Sequence, residues 1–215
     1  MDKPTAMTSF RVVKEIRQCT GCKKVGHAGT LDPMATGVLL VCTGKSTKQV
    51  SSLMGMEKVY EGVIELGKVT DTDDAEGKIL SESEVPYLAQ TDIEVLLKNY
   101  CGEIDQVPPQ FSALKKNGTR LYKLARQGIK VKLEPRKVMV YDIQLMTWQS
   151  PYIHLHVRCG KGTYIRSLAR DIGANIGSGG YLKALRRIRI GPYHVDEAWQ
   201  LDQFKSMIVN NENIS

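Results

Sequence analysis

Glycines at positions 21, 26, 29 and 37, with a proline at 33, fall within one short stretch near the start of the chain. No helix tolerates that density, because each interior glycine costs about 1 kcal/mol and a proline about 3. The segment is therefore expected to be loop and short strand. Small residues let backbone approach a ligand closely, and Pro33 pushes Asp32 toward an extended conformation. The outcome is a loop that displays one imidazole, His27, and one carboxylate, Asp32. Loops of this kind carry function when a rigid scaffold positions them. The plainer alternative is a glycine-rich turn capped by an aspartate.

Around this loop the periodicities alternate. Ser9 is expected to cap a short helix with Phe10, Val13 and Ile16 as its apolar positions. Val38 to Val41 is expected to be a buried strand, and Ser46 to cap the helix that follows it. From Lys58 to Leu66 the period is two, with Tyr60, Ile64 and Leu66 on one face and Glu61 and Glu65 on the other. Residues 69–77 are an acidic loop, and Thr91-Asp92-Ile93-Glu94 forms a capping box before a helix through Tyr100. Ile153, Leu155, Val157 and Cys159 alternate with His154, His156 and Arg158 as a half-buried strand. A helix is expected from Thr163 to about Asn175, and a short one from Tyr181 to Arg187. The last dozen residues are polar and are expected to fray. Strands and helices mix without strict βαβ alternation, which points to an α+β or mixed α/β fold on a largely antiparallel sheet flanked by helices.

Composition narrows the partners. With 215 residues the chain can bury a sizeable core. A formal net charge of +7 suits a polyanionic partner. The longest apolar run, 37–42, is far too short to cross a bilayer. The first residues carry no apolar stretch after a basic one, so no secretory leader is expected and the cytoplasm is the default compartment. Cys19-Thr20-Gly21-Cys22 is a C-x-x-C, but a zinc ribbon needs a second pair, and Cys42, Cys101 and Cys159 stand alone. No metal is expected, and all five cysteines are read as reduced thiols. Gly44-Lys45-Ser46-Thr47 follows a strand, yet position 39 is Leu where a phosphate-binding loop needs Gly, which excludes a nucleotide hydrolase of that kind.

The segment Gly26-His27-Ala28-Gly29-Thr30-Leu31-Asp32-Pro33-Met34-Ala35-Thr36-Gly37 resembles the signature loop of the TruB family of tRNA pseudouridine synthases. The resemblance continues along nearly the whole chain. It takes in the opening motif Asp2-Lys3-Pro4 with Thr8-Ser9, then Lys58-Val59-Tyr60, Leu66-Gly67 with Thr70-Asp71-Thr72, and Gln106-Val107-Pro108-Pro109 through Lys115. It also takes in Leu121-Tyr122, Ala125-Arg126-Gln127-Gly128, Cys159-Gly160-Lys161-Gly162-Thr163-Tyr164-Ile165-Arg166 and Leu185-Arg186-Arg187. The family usually has a short apolar strand before the Asp-Lys-Pro, so the initial strand is expected to be truncated. Many members carry a C-terminal RNA-binding PUA domain, for which too few residues follow Arg187. The implied organisation is one pseudouridine synthase catalytic domain over residues 1–205, a polar tail over 206–215, and no PUA domain.

The resemblance implies isomerisation of uridine at position 55, in the T-loop of tRNA. It makes Asp32 the catalytic carboxylate, Tyr60 the stacking tyrosine with a hydroxyl placed for proton transfer, and Arg166 the arginine that pairs with the carboxylate. His27 would pack where the flipped base had been, Tyr164 and Leu185 would line the uracil pocket, Asp74 would lie near the ion pair, and Lys161 would touch phosphate. The reaction breaks the N-glycosidic bond and forms a C–C bond at C5 without redox change, so no cofactor is expected. A carboxylate can attack the base or the sugar, or assist formation of a glycal, and the residues do not choose among these. A target inside a folded T-loop must be extruded. Lys115, Lys116, Arg120, Lys123, Arg126, Arg136 and Lys137 offer phosphate contacts. The expected partner is the tRNA T-arm, with no membrane and no protein partner, and the chain acting as a monomer. Two rivals are an inactive relative that chaperones tRNA folding and the guide-RNA-dependent branch of the superfamily. The retention of Asp32, Tyr60 and Arg166 argues against the first, and the Cys-Gly-Lys-Gly-Thr-Tyr segment against the second.

Overall fold

The strand expected from the alternation at Lys58–Leu66 is present with those bounds. A computed structural model describes residues 1–116 and 118–212 of the chain. They form two compact units, one of the described residues within 1–61 and 185–212, the other of those within 62–184. The fold is mixed α/β, and its strand ladders are mostly antiparallel.

In the first unit, the strand Thr36–Val38 lies between two partners. Asp2–Lys3 pairs with it antiparallel, Lys3 opposite Gly37, and Arg186–Arg187 pairs with it in parallel, Arg187 also opposite Gly37. The helix Ser9–Thr20 packs Val12, Val13 and Ile16 against Val25, Leu39 and Leu201. Its N-cap is Thr8, whose hydroxyl accepts from the Arg11 N–H, and Phe10 is exposed. The expected cap, Ser9, points inward instead and is spent on the loop described below. The expected strand from Val38 to Val41 is two strands, Thr36–Val38 and Leu40–Thr43, and Ser46 lies inside a 3-10 turn, Gly44–Gln49, with no side-chain cap.

In the second unit, Gly102–Gln106 pairs with the long strand Arg136–Gln149, which pairs in turn with Tyr152–Cys159. Ile153, Leu155, Val157 and Cys159 are buried, as their alternation requires. The helices Gln90–Lys98 and Ile165–Ile176 bury apolar faces, Ile93 and Leu97 in the first and Ile165, Leu168, Ala169 and Ile172 in the second. The first is capped by Asp92, which reaches back to the Ala89 N–H, rather than by Thr91. The acidic loop is the turn of a hairpin, Lys68–Thr70 with Ile79–Glu82.

Two further expectations need correction. Tyr181–Arg187 is not a helix but part of the strand Gly180–Ile190. Lys183-Ala184-Leu185-Arg186-Arg187 has good helix propensity, yet pairing in a sheet overrides so weak a preference. Glu65 is buried on its face of the strand, accepting from Tyr181 and Lys183 and paired with Lys68. The chain end is not a frayed tail up to Glu212, because Leu201–Glu212 is a helix. Leu201 and Phe204, three apart, turn one face onto the core around Val12. Residues 213–215 lie outside the described residues. All five cysteines are free thiols.

Candidate active site

The Asp32 loop is anchored residue by residue within the first unit. Lys3 is fully buried and its ammonium donates to the carbonyls of Pro4 (2.7 Å), Met7 (2.6 Å) and Pro33 (3.1 Å). The third of these is the residue after Asp32. On the other side, the Ser9 hydroxyl donates to the Leu31 carbonyl (2.9 Å) and accepts from the Leu31 N–H (2.8 Å). Asp32 is thus held between two pinned neighbours, half-buried, with its carbonyl accepting from the Ala35 N–H at 3.1 Å. The loop can turn back so tightly because Gly29 and Gly37 adopt φ of 84° and 102°.

The closing motif completes this anchorage. Arg187 is buried and donates from Nε to the Val38 carbonyl and from Nη2 to the Gly29 carbonyl, both at 2.8 Å. A Cβ on Gly37 would lie 2.2 Å from the Arg187 carbonyl oxygen, so only glycine fits there. Arg186 forks onto Asp2 (3.1 and 2.8 Å) and donates to the Thr36 hydroxyl (3.2 Å), while Gln200 donates to Asp2 at 3.0 Å. Tyr60 is buried, with the Arg187 guanidinium 6.0 Å from its ring centroid. Leu185 is buried as well. His27 sits on the strand Val25–Ala28, and its buried Nδ1 finds no hydrogen-bond partner among the described residues. Burial first, then the Arg187 charge, lowers its pKa below the ordinary histidine value, so the ring is neutral at neutral pH.

The second unit holds the other candidates. Arg166, on the helix Ile165–Ile176, is 4% exposed and donates to the carbonyls of Thr72 (3.0 Å) and Phe111 (2.9 Å). It also pairs with Asp74 at 3.5 Å, both side chains being buried. Asp74 accepts in turn from the Thr72 hydroxyl (2.5 Å) and the Glu76 N–H (3.0 Å). Beside it Asp73 adopts a left-handed φ of 61°, which aspartate tolerates, and pairs with Arg170 at 3.1 Å. Burial raises the Asp73 pKa despite the nearby Arg170 and Arg166. Tyr164 is placed by Gln106, whose amide accepts from its N–H (2.8 Å) and donates to its carbonyl (3.1 Å). Lys161 is exposed on the turn before the helix.

Of the sequence-selected residues, His27, Asp32, Tyr60 and Leu185 belong to the first unit, and Asp74, Lys161, Tyr164 and Arg166 to the second. Arg166 and Asp74 meet directly, and Arg187 links the Asp32 loop to Tyr60. Sequence reasoning gave no role to Ser9, Lys3, Gln106, Arg170 or Arg187. A signal existed for Lys3, Gln106 and Arg187, which sit inside the quoted motifs. Ser9 also had one, since Thr8-Ser9 belongs to the opening motif, although it was read as a cap; Arg170 had none.

Residues 17–165 match the family described as TruB family pseudouridylate synthase (N terminal domain), and residues 166–214 match the tRNA pseudouridylate synthase B C-terminal domain. The chain belongs to the TruB family. A tRNA pseudouridine synthase B of Syntrophotalea carbinolica is 46% identical over 207 residues, 96% of this chain and 68% of that protein. One of Clostridium novyi is 46% identical over 99% of this chain and 73% of that protein. Among solved structures, a Cbf5–Nop10–Gar1 complex matches with a TM-score of 0.71 and 32% identity, covering 91% of this chain and 49% of that one. An H/ACA RNP bound to a substrate RNA containing 2′-deoxyuridine gives a TM-score of 0.71 and 27% identity, over 98% of this chain and 54% of that one. The chain thus spans about half the length of these solved relatives. Identity is higher to the TruB relatives than to these solved structures. The TruB signature motifs are the segments that build the loop anchorage: opening motif, signature loop and closing motif meet around Gly37.

Proposed function

We propose that this protein isomerises uridine to pseudouridine at position 55, in the T-loop of tRNA. Family membership supports the reaction class. The observation that carries the site is the clamped loop, in which Lys3, Ser9 and Arg187 hold the backbone on both sides of Asp32. Such anchorage suits a carboxylate that must meet a reacting centre within a fraction of an ångström. In this reading the target base is flipped out of the T-loop and stacks on Tyr60. The Asp32 carboxylate attacks, the C1′–N1 bond breaks, the base turns, C1′ bonds to C5, and the bond made by the carboxylate breaks to release it ionised. The C5 proton leaves by way of the Tyr60 hydroxyl, and N1 gains a proton. Arg166 serves as the fixed positive charge that the resemblance assigns to it. His27, Tyr164, Leu185, Asp74 and Lys161 bind the base and its surroundings. The reaction is redox-neutral and asks for no cofactor. The protein works as a monomer on the T-arm, in the cytoplasm, without a protein partner, and the basic residues of 115–137 meet phosphate.

The test is incubation with an unmodified tRNA transcript, followed by carbodiimide treatment and primer extension. One stop should appear at the T-loop uridine and vanish with Asp32→Asn, while tRNA affinity stays within about threefold, since phosphate contacts dominate binding. A stop elsewhere, or multiple turnover by the Asn variant, would refute the reading.

A further inference from the structure

One buried guanidinium touches several parts of the proposed machinery at once. Arg187 is 1% exposed. Its Nε and Nη2 hold the carbonyls of Val38 and Gly29, the two ends of the segment that contains Asp32. Its own backbone is laddered to Gly37, leaving no room for a Cβ there. Its Cζ lies 6.0 Å from the centre of the Tyr60 ring. A Cβ on Gly29 would come within 3.4 Å of Nη1, so the loop backbone is seated directly on the guanidinium. Among the described residues no carboxylate pairs with it. Taking a charge out of water with only carbonyl dipoles and a ring face as partners is costly. A methionine would fill the same volume more cheaply, so packing alone does not account for an arginine here.

We propose that Arg187 is a positioning residue for the isomerisation: it fixes both ends of the Asp32 loop and the Tyr60 ring against one rigid fork. The fork matters as much as the charge. Two N–H donors set at a fixed angle define the spacing of the two carbonyls, whereas an ammonium is a point charge that lets either one drift. This inference rests on the activity proposed above.

The experiment compares the wild-type 215-residue chain with its Arg187→Lys and Arg187→Met variants. Folding is followed by circular dichroism and urea titration, and kcat and KM are measured on a tRNA transcript. The His27 imidazole is titrated by NMR, its signal being identified by loss in a His27→Asn spectrum. Arg187→Lys should fold, keep KM within about threefold and lose about 100-fold in kcat, the scale expected when a reacting group moves by an ångström. His27 should titrate as in wild type in the Lys variant, where charge and burial persist, and at higher pH in the Met variant, where the charge is gone. Wild-type kcat in Arg187→Lys would overturn the proposal. So would a loss expressed mainly in KM, which would make Arg187 a substrate contact. Failure of both variants to fold would also overturn it, by reducing Arg187 to scaffold. Absence of pseudouridine in the wild type would instead sink the activity reading, and that failure precedes any substitution.

Discussion

Replacing Ser9 by alanine should loosen the Asp32 loop from the side opposite Lys3. The hydroxyl makes two hydrogen bonds to Leu31, one as donor and one as acceptor, and both residues are buried. Alanine leaves the Leu31 N–H and C=O without those partners. Each orphaned buried group costs about 1–3 kcal/mol, the carbonyl toward the lower end. Against this, alanine is the better helix former by about 0.5 kcal/mol at the first position of the helix Ser9–Thr20. The net loss should be roughly 2–3 kcal/mol, or about 4–12 °C in Tm for a protein of this size. Leu31 is bonded directly to Asp32, so kcat should fall about tenfold with KM nearly unchanged. Urea and thermal melts measure the first effect, and single-turnover pseudouridine formation the second. Ser52→Ala is the control: its hydroxyl is exposed and, among the described residues, bonds only to the Gln49 carbonyl, so it should shift stability by less than about 0.5 kcal/mol. The reasoning fails if Ser9→Ala is indistinguishable from Ser52→Ala in both assays.

Two further outcomes follow from the geometry. Burial opposes ionisation of Glu65, but hydrogen bonds from Lys183, Tyr181 and Lys68 outweigh it and hold the carboxyl at about 2, against an ordinary 4.5. A depressed carboxyl stabilises the fold above the unfolded value and loses that contribution as pH falls from about 4.5 to about 2, roughly 3 kcal/mol in all. Glu65→Gln should therefore flatten the acid limb of a stability-versus-pH curve by about that amount, and an unaltered limb would count against the pairing. For Tyr60, the Phe variant keeps the ring and loses the hydroxyl. If the hydroxyl moves a proton, Phe should slow single turnover nearly as much as Ala while binding tRNA more tightly, and a near-normal Phe rate would leave Tyr60 a stacking surface only.

The candidate loop was legible because it sits in irregular backbone. A run of glycines around His27 and Asp32 has no reason to exist in a helix or an ordinary strand, so residue type alone marked it. The strands with strict alternation, Lys58–Leu66 and Tyr152–Cys159, were legible for the same reason of period. What escaped was set by distant partners. Gly180–Ile190 is a strand only because other strands accept it, and its Lys-Ala-Leu-Arg-Arg run has local preferences that point to a helix. The burial of Glu65 was not legible either, because alternation assigns a face, not what covers that face. Ser9 read as a cap because a serine before an amphipathic run usually is one; its real partner lies 22 residues on. The terminal helix was hidden by polar composition, although Leu201 and Phe204 already stood three apart.

The position of Gly37 between Lys3 and Arg187 also bears on how the protein is made. A ribosome delivers the Asp32 segment early, but the strand that clasps it arrives some 150 residues later. Until then the carbonyls of Gly29 and Val38 have no guanidinium to receive them, and the segment has only its N-terminal supports. Closing so long a loop is slow compared with local helix formation. A nascent or prematurely terminated chain ending before Arg187 should therefore carry every residue of the signature loop and still be unable to hold it in working shape. Activity would then switch on late in synthesis, at a time set by the emergence of the closing motif rather than of Asp32 itself.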